Sequence, residues 1–457
     1  MPGDTIEPRG LGWFAIIRIG LVQASIGAIV MLATSLLNRV MVVEYALAAA
    51  LPAGLVAWHY AVQLARPAWG HGSDRGRRRT PWILGGVAVL AGGALLAVKA
   101  TVMLGTADTN TVAAIGVAIV AFTLIGAGVG AGGTSALALL ASGVAPERRA
   151  AAAAVTWIMM VAGIVVAAGV AGALLDPFSP ERLVEVAGGV ALSALCVAGL
   201  AVLRLERGLD ESGGDDFAAT AKSGDVPGFA AALREILHEN EARRFTIFIF
   251  VSMLAYSMQD LILEPFAGLV FEMTPGQSTS LSGTQHGGVL LGMIAAGIGG
   301  SAFAGRMPVD LKVWTVIGCM GSALALVGLA IAAVVGPGWP LVINVFALGF
   351  CNGLFAVAAI GSMMGLAGTG TKTREGVRMG VWGASQAIAF GLGGLMGALG
   401  VDIARKMQAH DGSAFQTIFA IEATLFVIAA GLAMRAAGTK AAATNETTRD
   451  PETQVFA

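Results

Sequence analysis

The sequence predicts an all-α polytopic membrane protein with twelve transmembrane helices. Of its 457 residues, 56% are hydrophobic and only 12% are charged, and the mean hydropathy is +0.77. A soluble protein of this length could not cover so much apolar side chain with polar surface, whereas a helical membrane protein exposes it to lipid. The net charge of −1 gives no sign of a nucleic-acid partner.

Apolar segments of bilayer length set the number of helices. A helix needs roughly 20 mostly apolar residues to cross a bilayer. Twelve segments meet that length, at about 14–37, 47–66, 82–104, 112–141, 152–175, 184–204, 245–271, 286–305, 313–335, 339–366, 378–400 and 414–435.

The distribution of basic residues orients these segments. Cytoplasmic loops of membrane proteins carry an excess of Lys and Arg. With the N-terminus in the cytoplasm, the opposite side receives few of the 28 Lys and Arg residues, namely Arg39, Lys99, Arg182, Arg405 and Lys406. The charge pattern therefore predicts that both termini are cytoplasmic.

The spans divide the chain into two six-helix halves around a polar centre. We expect a cytoplasmic N-terminus at 1–13, a first half at 14–204 and a second half at 245–435. The central loop at 205–244 contains apolar residues at helical spacing, which predicts an amphipathic helix at about 229–241 on the membrane surface. Residues 436–457 are polar and predicted to be disordered.

An internal repeat supports the division. Trp157 begins a run of small residues that ends at Asp176, and Trp382 begins a similar run that ends at Asp402. Each follows a charged loop, PERR at 146–149 and KTREGVR at 372–378. The matched order indicates duplication. Two six-helix halves with cytoplasmic termini are typical of the major facilitator superfamily.

The stretch GHGSDRGRRRTPW at 70–82 resembles that superfamily's loop between spans two and three. The pattern is matched at Gly70, Ser73, Asp74, Arg75, Arg78 and Arg79. It is not matched at Gly72, where a large apolar residue is usual, or at Arg77, where glycine is usual. The resemblance implies that these residues tether helix ends and bias a conformational switch. The alternative is that the arginines only fix the topology of the chain.

Three further stretches resemble the PucC and LhaA family, also called the bacteriochlorophyll delivery family. They lie at 36–71, 259–283 and 374–394, and the most specific parts are NRVMVVE at 38–44 and QDLILEPF at 259–266. The resemblance implies a bacterial inner or intracytoplasmic membrane protein that handles bacteriochlorophyll or a geranylgeranylated precursor. The implied partners are the lipid bilayer, bacteriochlorophyll, and either antenna polypeptides or geranylgeranyl reductase and chlorophyll synthase. The compact loop at 70–82 favours the branch linked to geranylgeranyl reductase.

Polar residues inside the spans are the first candidate site. Charges within a membrane are costly and usually functional. Spans one and seven carry charged and amide residues in comparable places, so the two halves could form a polar site at the midline. Such a site could serve proton coupling or bind the polar ring of a pigment. The alternatives are a structural ion pair and exposure at the headgroups. The candidates are Asn38, Arg39, Glu44, Gln259, Asp260 and Glu264.

Possible axial ligands for a pigment magnesium form the second candidate set. His59 and His286 lie in or at the start of the equivalent spans two and eight, and Gln63 and Gln386 are further candidates. Imidazole and amide side chains can serve as such ligands. The alternative for each is a hydrogen bond between helices.

Familiar catalytic motifs do not occur in the sequence. We find no Walker motif, no GxSxG and no His pair at metal spacing, and GAGVG at 126–130 lies within a span. The sequence therefore predicts a non-enzyme that binds no nucleotide. Two other hypotheses stay open at this point: a proton-coupled transporter of a small solute, and a scaffold for pigment-synthesis enzymes. Glu422, in span twelve, has no assigned role.

Overall fold

The computed structural model describes residues 11–66, 69, 78–106, 110–144, 148–208, 240–301, 311–367, 375–408 and 410–436. Within these ranges the regular secondary structure is helical, joined by short turns and loops, and contains no strand. The helices are α1 (Trp13–Glu44), α2 (Ala50–Gln63), α3 (Thr80–Gly105), α4 (Thr111–Gly143), α5 (Arg149–Leu174), α6 (Pro180–Val202), α7 (Asn240–Phe271), α8 (Pro275–Ser301), α9 (Leu311–Val335), α10 (Leu341–Ala367), α11 (Glu375–Met407) and α12 (Asp411–Ala436).

Helices occur at all twelve positions that the sequence predicts, and within the described residues ten contain a segment long and apolar enough to cross a membrane. The exceptions are α2, with 14 residues, and α8, whose first half is rich in Ser, Thr and Gln. The chain is therefore a multi-pass membrane protein. The count of twelve spans and the cytoplasmic termini stay predictions.

Helix α8 begins earlier than expected. The sequence predicts a span from about 286, but the helix starts at Pro275. The segment QSTSLSGTQ looks like a loop because it is polar. Its serines, however, bind polar groups of α1: Ser278 accepts a hydrogen bond from Arg39, and Ser282 pairs with Ser35. Polar residues are stable in a membrane helix when they face polar partners.

Buried apolar side chains form two main clusters. One contains residues between Leu11 and Leu205, together with Leu261 and Ala398. The other contains residues between Phe245 and Ala433. Within each cluster glycines bring backbones together: a Cβ on Gly86 would lie 2.3 Å from the nitrogen of Gly132. Such small residues permit the close helix packing that membrane proteins depend on.

Two aspartates join the halves at one end of the bundle. Asp176, just after α5, accepts hydrogen bonds from the Thr274 hydroxyl (2.7 Å) and the Gly276 backbone N–H (3.2 Å) at the start of α8. Asp402, in α11, accepts from the backbone N–H groups of Ala49 (3.1 Å) and Ala50 (2.7 Å) at the start of α2. A carboxylate at a helix N-terminus satisfies free N–H groups and the helix dipole. We call these the paired aspartate contacts.

The paired aspartate contacts involve the same position in both copies of the internal repeat. Asp176 and Asp402 end the two similar stretches of the sequence, and each reaches a helix of the other half. The end at which they lie is the one that the charge pattern predicts to be periplasmic.

At the opposite end, a carboxylate holds the start of α3. Glu206 accepts hydrogen bonds from the backbone N–H groups of Arg79 (2.7 Å) and Thr80 (3.1 Å). The Arg79 guanidinium donates to the carbonyl of Ala138 in α4. Arg79 thus links the start of α3 to α4 and to the segment after α6. Gly70, Asp74 and Arg75 lie outside the described residues. The same is true of the predicted amphipathic helix up to residue 239 and of the tail beyond 436.

Candidate functional site between the two halves

The far end of α1 carries the first group of candidate residues. Here the helix widens into two π-helical turns, Leu32–Leu36 and Val40–Glu44, on either side of Leu37–Arg39. Such turns are frequent at functional sites. Ser35, Asn38, Arg39 and Glu44 all lie within this stretch.

Arg39 is a buried cation that links the halves. Only 1% of the residue is exposed. Its guanidinium forms an ion pair with Glu44 and donates hydrogen bonds to the Ser278 hydroxyl (3.1 Å) and the Met273 carbonyl (2.6 Å) of the second half. A buried charge needs such partners, because desolvation is otherwise too costly. Its ion-pair partner is thus Glu44 within α1, while the acidic Glu264 of α7 lies within electrostatic range of it.

A cavity of about 850 Å³ opens beside this ion pair. Its walls come from both halves, and they include polar groups from α1, the segment after α5 and the turn before α8. The lining residues are Arg39, Val43, Glu44, Asp176, Pro177, Phe178, Gly268, Glu272, Met273, Thr274 and Pro275.

Glu264 joins α7, α1 and α8 deeper in the bundle. It is 2% exposed and accepts a hydrogen bond from Ser35, whose hydroxyl also lies 3.0 Å from that of Ser282. Beside it, the amide of Asn38 donates to the Leu261 carbonyl at 2.7 Å. Within the described part of the chain, Oδ1 of Asn38 and Oε2 of Glu264 are buried without a hydrogen-bond partner.

Asp260 faces different neighbours from Glu264, although the spacing of four predicts a shared face. Asp260 is half-buried and lies within electrostatic range of Tyr60, Tyr256 and Glu422. Glu422 in α12 is fully buried, and neither carboxyl oxygen has a partner among the described residues. The sequence offered one signal for Glu422, an acidic residue within an apolar run, but no partner for it.

Replacing Glu422 by glutamine is expected to leave the free energy of unfolding unchanged within about 0.5 kcal/mol, because the substitution keeps the shape and removes no hydrogen bond to the described residues. A titration of the purified protein with dodecyl sulfate, followed by tryptophan fluorescence, measures this. Thr424→Val, on the same helix, is the control for a mild change at an exposed position. A loss of several kcal/mol would show that an ionised Glu422 has a partner.

Aromatic rings line the interface near Asp260. The Tyr60 ring of the first half lies 5.8 Å from that of Phe390, which lies 5.7 Å from that of Tyr256. Tyr256 in turn contacts Phe355 at 6.2 Å. One turn from Phe390, the Gln386 amide donates a long hydrogen bond to the Met253 sulfur at 3.8 Å. These rings form an aromatic path from Tyr60 of the first half to Phe355 of the second.

The two candidate histidines differ in what their ring nitrogens do. His59 is 2% exposed and uses both: Nδ1 donates to the Val56 carbonyl (2.8 Å), and Nε2 accepts from the Gln63 amide (2.8 Å). The oxygen of Gln63 accepts from Arg66. His286 is half-buried, and its Nδ1 donates to the Ser282 carbonyl at 2.9 Å. No hydrogen bond to its Nε2 occurs within the described ranges.

Comparison with known proteins assigns the chain to a family. The family model of the PUCC protein matches residues 36–441. The chain belongs to the PUCC protein family. The "Bacteriochlorophyll synthase 44.5 kDa chain" of Rhodobacter capsulatus is 50% identical to it over 95% of this chain and 97% of the relative. Protein PucC of Rhodobacter capsulatus is 29% identical over 92% and 91% of the two chains.

Solved structures agree on the fold of this PUCC family chain. A mutant of the peptide transporter POT in complex with alafosfalin superposes with a TM-score of 0.64 at 14% identity, over 94% of this chain and 96% of the transporter. A bacterial homologue of the lysosomal transporter Spinster gives 0.63 at 15% identity, over 95% and 98%. The predicted major facilitator fold is confirmed.

The family assignment confirms one sequence-based expectation and corrects another. The resemblance to the PucC family is confirmed. The expectation that the chain is not an enzyme is wrong as it stands, because a relative with half its residues identical is named as a chain of an enzyme, bacteriochlorophyll synthase. The correction comes from the printed name of that relative, and no catalytic motif in this chain's sequence pointed to it.

Proposed function

We propose that this chain acts in the biogenesis of bacteriochlorophyll and photosynthetic complexes, in association with the enzymes of pigment synthesis. The observation that carries the proposal is the 50% identity, over nearly the whole chain, to a relative named as a chain of bacteriochlorophyll synthase. Membership of the PUCC protein family supports it.

The interface between the halves offers what an amphiphilic pigment needs. A tetrapyrrole with an isoprenoid tail has polar groups on one part and a large apolar surface on the rest. Among the described residues, the amide nitrogen and oxygen of Gln259, which is 0% exposed, are buried without hydrogen-bond partners, as is Oδ1 of Asp260, which lies within electrostatic range of Tyr60 and Tyr256. Unsatisfied buried polar groups are uncommon in native proteins and point to a missing partner.

Within this proposal, the bound group is bacteriochlorophyll or a geranylgeranylated precursor, in a bacterial inner or intracytoplasmic membrane. The partners are antenna polypeptides or geranylgeranyl reductase and chlorophyll synthase. Of the polar candidates, Asn38, Arg39 and Glu264 form hydrogen bonds with the other half. Together with Glu44, Gln259 and Asp260, they would hold the polar part of the pigment.

Purification of the full chain in mild detergent from a bacteriochlorophyll-producing host tests the proposal. We expect pigment to copurify, together with an enzyme of pigment synthesis identified by mass spectrometry. Gln259→Leu is expected to lower the pigment-to-protein ratio severalfold, whereas Thr424→Val, an equivalent polar-to-apolar change on an exposed helix face, leaves it unchanged. Wild-type protein with neither pigment nor such a partner would contradict the proposal.

A second candidate function, proton-coupled transport of a small solute, is favoured by buried carboxyl oxygens of Asp260 and Glu422 that have no hydrogen-bond partner among the described residues. Carboxyl groups inside membrane-spanning segments are typical of proton relays. If the chain is such a transporter, Asp260→Asn and Glu422→Gln each abolish proton-dependent uptake into vesicles while the protein stays folded. Unchanged uptake by both variants removes this function.

A further inference from the structure

We infer that Nε2 of His286 is the axial ligand for the magnesium of a bound tetrapyrrole pigment. This inference rests on the proposed function and names the residue that recognises the pigment's metal. The magnesium at the centre of such a ring has an open axial position, which a neutral imidazole nitrogen can fill.

The hydrogen bond of the other ring nitrogen prepares His286 for this role. Nδ1 lies 2.9 Å from the carbonyl of Ser282, so it carries the proton and donates. The lone pair is then on Nε2, which has no hydrogen-bond partner in the part of the chain that the structure describes. Metal-binding histidines characteristically donate their second ring N–H to a carbonyl or carboxylate, which fixes the tautomer and the ring orientation.

His59 provides the contrast within the same protein. It occupies an equivalent helix, but Gln63 already donates to its Nε2, and the ring is nearly fully buried. A metal could bind there only after this hydrogen bond had broken. The two histidines that the sequence could not distinguish are therefore distinguished by the partners of Nε2.

The face of α8 that carries His286 changes from polar to apolar along its length. Ser278, Ser282 and His286 follow each other at intervals of four residues, so they lie on one face of the helix. The two serines bind Arg39 and Ser35 of α1, which directs this face toward the first half. His286 comes one turn beyond the last of these contacts.

Beyond His286 the same face is apolar. Leu290 and Met293 follow at spacings of four and three, and with Val161 of α5 they belong to a small cluster separate from the two main cores. A Cβ built on the adjacent Gly287 would meet nothing within 4 Å, so this part of the helix surface is open. A ligand with a metal-centred ring and an apolar tail matches this order of one nitrogen ligand followed by an apolar surface.

Binding of two matched pigments to purified full-length protein tests the inference without any mutation. The probes are bacteriochlorophyll a and bacteriopheophytin a, which differ in the central magnesium. We expect the wild-type protein to bind bacteriochlorophyll more tightly by about tenfold or more, the scale on which changes around a metal ligand alter metal affinity. Resonance Raman spectra of the bound pigment report the coordination number of the magnesium and are expected to show one axial ligand.

His286→Leu is expected to abolish the preference for bacteriochlorophyll and leave bacteriopheophytin binding unchanged. His286→Gly with added imidazole should restore the Raman signature, which a purely structural role of the histidine would not do. His59→Gln is the matched control and should keep the preference. Equal binding of both pigments by the wild type, or an unchanged preference in His286→Leu, overturns the inference, whereas absence of all pigment binding overturns the proposed function itself.

Discussion

Glu44→Gln is expected to lower the free energy of unfolding by about 3 kcal/mol, the scale for breaking a buried ion pair by removing one partner. The variant leaves the Arg39 cation in place, and the Arg39 side chain is only 2% exposed. The Met273 and Ser278 hydrogen bonds remain but carry no compensating charge. Unfolding in dodecyl sulfate, followed by tryptophan fluorescence, measures the loss.

The reverse substitution is expected to be milder. Arg39→Met leaves Glu44, whose side chain is 30% exposed and lines the cavity of about 850 Å³, so its charge can be hydrated. The double variant should recover part of the loss in Glu44→Gln. Glu272→Gln removes an exposed carboxylate from the same cavity and serves as the control. An Arg39→Met loss larger than that of Glu44→Gln would contradict this account of the ion pair.

Combined Asp176→Ala and Asp402→Ala substitutions are expected to separate the two halves at the end where the paired aspartate contacts lie. Removal of one helix cap costs about 1 kcal/mol. Removal of two would therefore shift the equilibrium between joined and separated halves at this end by about thirtyfold. Spin labels at positions 181 and 408, in a background with Cys196, Cys319 and Cys351 replaced by alanine, report the distance between the halves at that end. We expect a second, longer distance in the double variant.

Asp411→Asn is the matched control for this experiment. It breaks the 2.6 Å ion pair of Asp411 with Arg405, which lies within the second half at the same end. The label distance should then remain that of the parent protein. A double aspartate variant that also keeps the parent distance would show that other contacts hold this end together.

The hydropathy of the sequence predicted most helices, because a long apolar segment in a bilayer has few stable conformations other than a helix. Hydropathy did not predict the helix where polar residues are buried against each other. The start of α8 looks like a loop in sequence, but Ser278 and Ser282 find partners in α1. Such pairings depend on residues more than two hundred positions apart, and no local pattern reports them.

The candidate site was predictable as a set of residues but not as a set of contacts. Spans one and seven were expected to supply its polar groups, and the structure brings Asn38 to Leu261 and Ser35 to Glu264. The partner of Arg39 and the divergence of Asp260 from Glu264 depend on the exact rotation of each helix. The π-helical turns of α1 change that rotation, and regular helical spacing cannot anticipate them.

The paired aspartate contacts also bear on how a chain of this kind could arise. Each half contains one carboxylate and one helix start that receives a carboxylate from the other half. A single ancestral half would have possessed both parts of the contact without being able to join them within itself. Two copies related by a twofold axis would have made the contact twice, since a symmetric interface matches each surface with its own counterpart. Fusion of two such genes would then have kept an interface that already existed.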